Sequence, residues 1–189
     1  MENSRQLYHD MTESELVQAI CNEDKKAFNE LILRYGVFVM GRARKLSGNE
    51  EHAAEIFQNV FFNIYKKIHT FEAKSSLRTW IAAIAYNEWR LLARISDSSA
   101  TELDDDTTNY SSSHADDIID VLEYKEAYEH ISEAIKQLPE NYRSALVGYA
   151  VDDKSYADIA RELGVTEGQV KVWIFRARQK LKDLLEGYL

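Results

Sequence analysis

The chain has 189 residues with only seven Gly and one Pro, a scarcity of turn-formers that favours long helices over a strand-rich fold. Its formal charge of -9, with 29% charged and 45% hydrophobic residues, excludes a fibrous or wholly disordered chain. A single cysteine, Cys21, and five histidines without ligand spacing exclude a disulfide scaffold and a cysteine metal cage.

Thr12-Glu13-Ser14-Glu15 is a capping box that predicts a short helix through Ile20. A second helix starts near Asp24 and runs through Leu31, Ile32, Tyr35, Phe38 and Val39 toward Leu46, with Ser47-Gly48-Asn49 as its stop. A third spans roughly residues 50 to 68, where Ala53, Ile56, Phe57, Val60, Phe61, Ile64 and Ile68 recur at helical spacing. A fourth begins near Ser76 and turns Leu77, Ile81, Ile84, Ala85, Leu92 and Ile95 to one side. Opposite lie Thr79, Ala83, Tyr86, Asn87, Arg90 and Arg94. Such a stripe is commonly a solvated face with snorkelling arginines, but it also has what a DNA surface needs, because Arg supplies charge and Tyr can stack on a base.

The next segment changes character. Residues 1 to 95, 96 to 120 and 121 to 189 carry net charges of +1, -8 and -2, so nearly all the excess acid lies in the middle stretch. That stretch is rich in Ser, Thr and Asp and poor in large aliphatics, and it cannot offset its ordering entropy by burial. An acidic flexible linker is expected there, between an N-terminal helical bundle and a C-terminal domain.

The second block opens near Asp120 with Val121, Leu122, Tyr124, Tyr128, Ile131, Ile135 and Leu138 at helical spacing, and Pro139 breaks that helix and starts another. From Ser155 to Lys171 the pattern is a helix-turn-helix. Ser155 and Asp158 cap one short helix, Gly164 permits the turn, and Thr166 with Gln169 caps the next. The last helix turns Val170, Ile174, Ala177 and Leu181 inward and leaves Gln169, Lys171, Val172, Phe175, Arg176, Gln179 and Lys182 outward. Residues 167 to 182 hold five basic side chains and one acidic, as major-groove insertion requires.

With these residues in view the chain resembles the extracytoplasmic-function (ECF) sigma factors of bacterial transcription. In the first half the resemblance rests on Asp24 to Leu31 followed by Tyr35, on Ala54-Glu55-Ile56-Phe57-Gln58-Asn59-Val60-Phe61, and on Phe71 with Leu77-Arg78-Thr79-Trp80-Ile81 through Asn87. In the second it rests on Leu138-Pro139-Glu140-Asn141-Tyr142-Arg143, the helix-turn-helix, and Phe175 to Leu181. It implies an all-α protein with a region 2-like domain over 1–95, a linker over 96–120 and a region 4-like domain over 121–189. It implies that Glu55, Gln58, Asn59 and Phe61 meet the clamp helices of the largest subunit of RNA polymerase core, and that the flap of the second-largest subunit is a further contact. Trp80, Tyr86, Asn87, Arg90 and Arg94 would open and hold the -10 element of promoter DNA. Gln169, Lys171, Val172, Phe175, Arg176 and Arg178 would read the -35 element. An anti-sigma factor is a candidate partner.

Competing functions remain at this point. A helix-turn-helix repressor accounts for residues 121 to 189 but leaves the first bundle unused. A sigma-like adaptor with weak promoter binding would fit the sequence Arg94-Ile95-Ser96-Asp97, which stands where the family commonly has a run of arginines. No Gly-rich phosphate loop or nucleophile elbow favours an enzyme, and no cofactor is expected. No apolar run reaches the ~18 residues of a membrane span, and Met1 to Arg5 lacks the basic-then-apolar layout of a signal peptide. A cytoplasmic protein without membrane insertion is therefore expected.

Overall fold

The computed structural model describes residue 8, residues 10–97 and 115–186, and residue 188. Among the described residues the fold is carried by α1 (Glu13–Cys21), α2 (Lys25–Ser47), α3 (Glu50–Lys67), α4 (Leu77–Asp97), α5 (Ala115–Lys136), α6 (Glu140–Ala150), α7 (Tyr156–Leu163) and α8 (Glu167–Leu184), with a 3-10 turn over Ile68–Thr70 after α3. No strand occurs among the described residues. The architecture is all-α, with a helical bundle followed by a helix-turn-helix, as the sequence predicts.

The helix ends follow from local chemistry. Thr12 and Glu15 form the reciprocal capping box of α1, and the Asp24 carboxylate accepts from the Lys26 and Ala27 amides to start α2. Gly48 closes α2 at φ 64, a left-handed conformation that costs glycine little, and Asn49 caps α3 from the next position. Ser76 Oγ accepts from the Thr79 amide at 3.1 Å at the start of α4.

Two helices extend further than the sequence predicts. α4 continues through Asp97 and α5 begins at Ala115, so the expected linker is helical at both of its described ends. Residues 98 to 114, the rest of that stretch, lie outside the described residues, as do the side chains of Val121 and Leu122. The inward stripe of α4 also fades toward its end. Leu77, Ile81 and Ala85 are buried, Ile84 and Leu92 are half-buried, and Ile95 is 64% exposed, so the expectation that Ile95 is buried is corrected. Beyond Leu92 α4 has run past the core it packs on.

The first-half core is α2, α3 and α4 packed around Phe28, Leu31, Phe57, Phe61, Ile64 and Ile81, and the second is α6, α7 and α8 around Leu146, Ile159, Val170, Ile174 and Leu181. α5 joins them into one continuous core. Its Tyr128 ring meets Phe57 edge-on at 5.3 Å, its Tyr124 lies 5.8 Å from Phe28, and its Ile131 packs at Gly36 of α2. Aromatic pairs of this kind contribute about 0.5–1.5 kcal/mol each beyond their buried area.

Candidate nucleic-acid interface

The helix-turn-helix is set by hydrogen bonds that the sequence pattern anticipates. Ser155 Oγ accepts from the Asp158 amide at 3.1 Å, and Gly164 turns at φ 66. Thr166 Oγ1 accepts from the Gln169 amide at 3.2 Å, while Gln169 Oε1 accepts from the Thr166 amide at 3.0 Å. Gln169 is thus both exposed on the first turn of α8 and committed to holding that turn in place.

At 100° per residue the exposed surface of α8 divides into a crest and two flanks. The crest is apolar, with Val172 45% and Phe175 58% exposed. Lys171 and Arg178 stand on one flank and Arg176 on the other. Each cation is held near a tyrosine: Lys171 Nζ is 5.4 Å from the Tyr156 ring, the Arg178 guanidinium 5.7 Å from the Tyr149 ring, and Arg176 donates to Tyr142 Oη at 3.4 Å. Tyr149 and Tyr156 are themselves stacked at 5.1 Å. Arg176 and Arg178 thus both reach tyrosines of α6, and Lys171 one of α7. Trp173 is half-buried against the core.

On α4 the six residues of the back face, Thr79, Ala83, Tyr86, Asn87, Arg90 and Arg94, are all exposed. Tyr86, 46% exposed, is the centre of a small cluster, with the Trp89 ring at 5.5 Å and the Arg90 guanidinium at 6.0 Å. Trp89 is absent from the sequence-based set, although its i+3 spacing from Tyr86 could have found it. Trp80 is half-buried against Phe71 at 5.4 Å, so it supports the face from beneath. Asn63, another residue the sequence reading passed over, is buried in α3 and donates to Glu88 of α4 at 3.0 Å, fixing the two helices in register.

Of the α3 residues expected to meet a partner, Glu55 is exposed and Gln58 and Asn59 are half-buried. Phe61, also expected at that contact, is fully buried beside Phe57, Phe28 and Tyr124 of α5. Its place in the inward stripe of α3 accounts for that burial. Glu55 and Gln58 form one wall of a groove of about 700 Å³ whose other wall is Tyr128, Glu129, Ser132 and Glu133 of α5. At the end of this groove the Glu50 carboxylate accepts from Arg44 and, at 2.8 Å, from Tyr128 Oη. The Arg44 hydrogen bond holds the Glu50 carboxyl below its usual range, while burial, aided by the hydrogen bond to Glu50, pushes the Tyr128 phenol up to about 12.

Comparison with known proteins decides the family. Residues 31–95 match Sigma-70 region 2, and residues 128–181 match Sigma-70, region 4. The chain is 30% identical over 186 residues to the RNA polymerase sigma-H factor of Pseudomonas aeruginosa, covering 94% of this chain and 95% of that one. The chain belongs to the ECF sigma factors. It is therefore an RNA polymerase sigma factor for transcription initiation rather than an enzyme. The ECF RNA polymerase sigma-E factor of Haemophilus influenzae is 29% identical, with 93% and 96% of the two chains covered. Among solved structures, the sigma factor RpoE of Bartonella quintana, in complex with the anti-sigma factor NepR, is 23% identical and covers 86% of this chain and 98% of its own, with a TM-score of 0.35. No helix among the described residues is long and apolar enough to cross a membrane.

Proposed function

We propose that this sigma factor uses three separate surfaces: the Glu55 to Asn59 side of α3 for the clamp helices of polymerase core, the exposed face of α4 for the -10 element, and α8 for the -35 element. The division into 1–95, a linker over 96–120 and 121–189 is then one of labour, with -10 and polymerase contacts in the first part and -35 contacts in the last. The observation that carries the reading is the build of α8. A capped first turn leads into an exposed apolar crest between cationic flanks, which suits a helix lying in the major groove with its crest on base edges and thymine methyls and its flanks at phosphates. On α4 the Tyr86 cluster offers a stacking surface with a nearby positive charge, which suits an unpaired strand. Trp80 holds that face from behind, while Asn87, Arg90 and Arg94 line its edge. An anti-sigma factor is a further candidate partner.

Replacing Gln58 and Asn59 with Ala in the full chain tests the polymerase surface. Affinity for core polymerase should fall while helical content and melting stay unchanged. Wild-type affinity in the double variant would move the polymerase contact off α3.

A further inference from the structure

α2 carries two glycines, Gly36 and Gly41, in the interior of a 23-residue helix, where glycine is a poor helix former. Both sit where the second half of the chain approaches. A Cβ on Gly36 would stand 2.6 Å from Ile131 Cδ1 of α5, and one on Gly41 would stand 2.4–2.8 Å from three atoms of Val151, just after α6. Beside this notch three cations of the first half meet the acidic turn that follows Val151. Arg78 lies with its guanidinium 4.0 Å over the Phe38 ring and donates to Asp153 Oδ1 at 2.5 Å and to the carbonyls of Tyr149 and Ala150, the last of α6, at 3.3 and 3.2 Å. Lys45 Nζ pairs with Asp152 at 3.1 Å and donates to the Val151 carbonyl at 2.7 Å, and Arg42 lies 3.7 Å from Asp153. Asp153 itself sits at φ 53, a conformation that Asp adopts more readily than most residues. A helix end, two carboxylates and a close-packed valine thus fit one socket.

We infer that the chain closes on itself: Gly36 and Gly41 seat Ile131 and Val151, the Arg42, Lys45 and Arg78 socket latches the Asp152–Asp153 turn, and α5 then lies over the α3 face that polymerase uses. Covering by α5 is direct, since Phe57 is fully buried beneath Tyr128, and Glu55 and Gln58 line a groove whose far wall is α5. The closed form therefore competes with polymerase for the same side of α3, and opening precedes or accompanies docking. The competition rests on the assignment of Glu55 to Asn59 to polymerase; the seat and latch do not.

The test uses the full chain, labelled at its exposed native Cys21 in the first half and at Asn141→Cys in α6, with the interlabel distance distribution read by pulsed electron resonance. The parent should give one narrow distribution. Gly41→Ala, although alanine is the better helix former, should broaden it toward longer distances with helical content retained. Adding Val151→Gly removes the three side-chain carbons that the new methyl group meets and should restore the narrow distribution. Arg78→Ala and Asp153→Asn should each raise the open-to-closed ratio by roughly two- to fivefold, as for a partly exposed ion pair. The exchange Arg78→Asp with Asp153→Arg should reverse much of that. An unchanged narrow distribution in Gly41→Ala would overturn the seat, and one in both single latch variants would overturn the latch. Core polymerase should capture Gly41→Ala several-fold faster than the parent. If the variant opens but is captured no faster, closure does not cover the docking face; failure of the α3 assignment itself shows separately, as full affinity of the Gln58 and Asn59 double variant.

Discussion

The two helices proposed to face DNA are built on different plans. α8 is organised from its N-terminus, where the Thr166 and Gln169 capping box fixes the first turn, and its cations are held out to the flanks by three tyrosines around an apolar crest. α4 has no such box. Its exposed chemistry is gathered in the middle, at Tyr86, Trp89 and Arg90, and its backing comes from Trp80 on Phe71 and from the Asn63 to Glu88 hydrogen bond. A helix that reads a rigid duplex needs its axis and first turn fixed, whereas one that holds an unpaired strand needs an exposed ring on which a base can rest.

The largest difference between them should appear with Tyr86→Ala. Loss of a stacked base costs about 1–3 kcal/mol, so holoenzyme affinity for a single-stranded -10 segment should fall roughly 5- to 150-fold, with -35 duplex binding unaffected. Equal losses on both DNA forms would erase the distinction. Next in size, Thr166→Ala should cost about 0.5–2 kcal/mol of stability in the second half, measured by thermal unfolding, and should weaken -35 binding more than -10 binding. Arg176→Ala should lower duplex affinity more modestly, and its signature lies in salt. The logarithmic salt dependence should flatten by about 0.9 for the lost phosphate, a change that Tyr86→Ala should not produce.

The smallest effect concerns pH and belongs to neither DNA face. Tyr128, on the seam between the halves, is raised in the folded chain from 10.0 to about 12, chiefly by burial. Its contribution is fully present below pH 10 and is lost as pH rises through about 12. Glu50 is lowered from 4.5 by Arg44, so its contribution is present above 4.5 and is lost as pH falls through its depressed value. The interlabel distance should thus hold up to about pH 10 and lengthen slightly as pH rises through about 12, a change that Tyr128→Phe should remove. The acid loss at Glu50, whose partner Arg44 lies in the same half, should appear in thermal stability rather than in that distance.

Much of this was legible in the sequence because it is local. Capping pairs three residues apart, the Gly48 and Gly164 stops and the apolar stripes all act within a few residues, and the structure places them as the spacing predicts. The exposed sides of α4 and α8 follow from the same periodicity. What the sequence did not disclose is long-range. Gly36 and Gly41 read as weak points in a helix until Ile131 and Val151 are seen against them, and Arg78 and Asp153 are 75 positions apart. Phe61 shares its stretch with Gln58 and Asn59, and only packing separates a core ring from its half-buried neighbours.

The central claim, that one chain directs polymerase through an α8 that reads duplex and an α4 that holds an opened strand, is tested most directly by run-off transcription. Core polymerase with the wild-type chain, Tyr86→Ala or Arg176→Ala would be assayed on a cognate promoter, first fully paired and then with the -10 segment mismatched. The wild-type chain should give a defined transcript that core alone does not, and the mismatched template should relieve part of the Tyr86→Ala defect but none of the Arg176→Ala defect. No chain-dependent transcript, or equal relief of both variants, would contradict it.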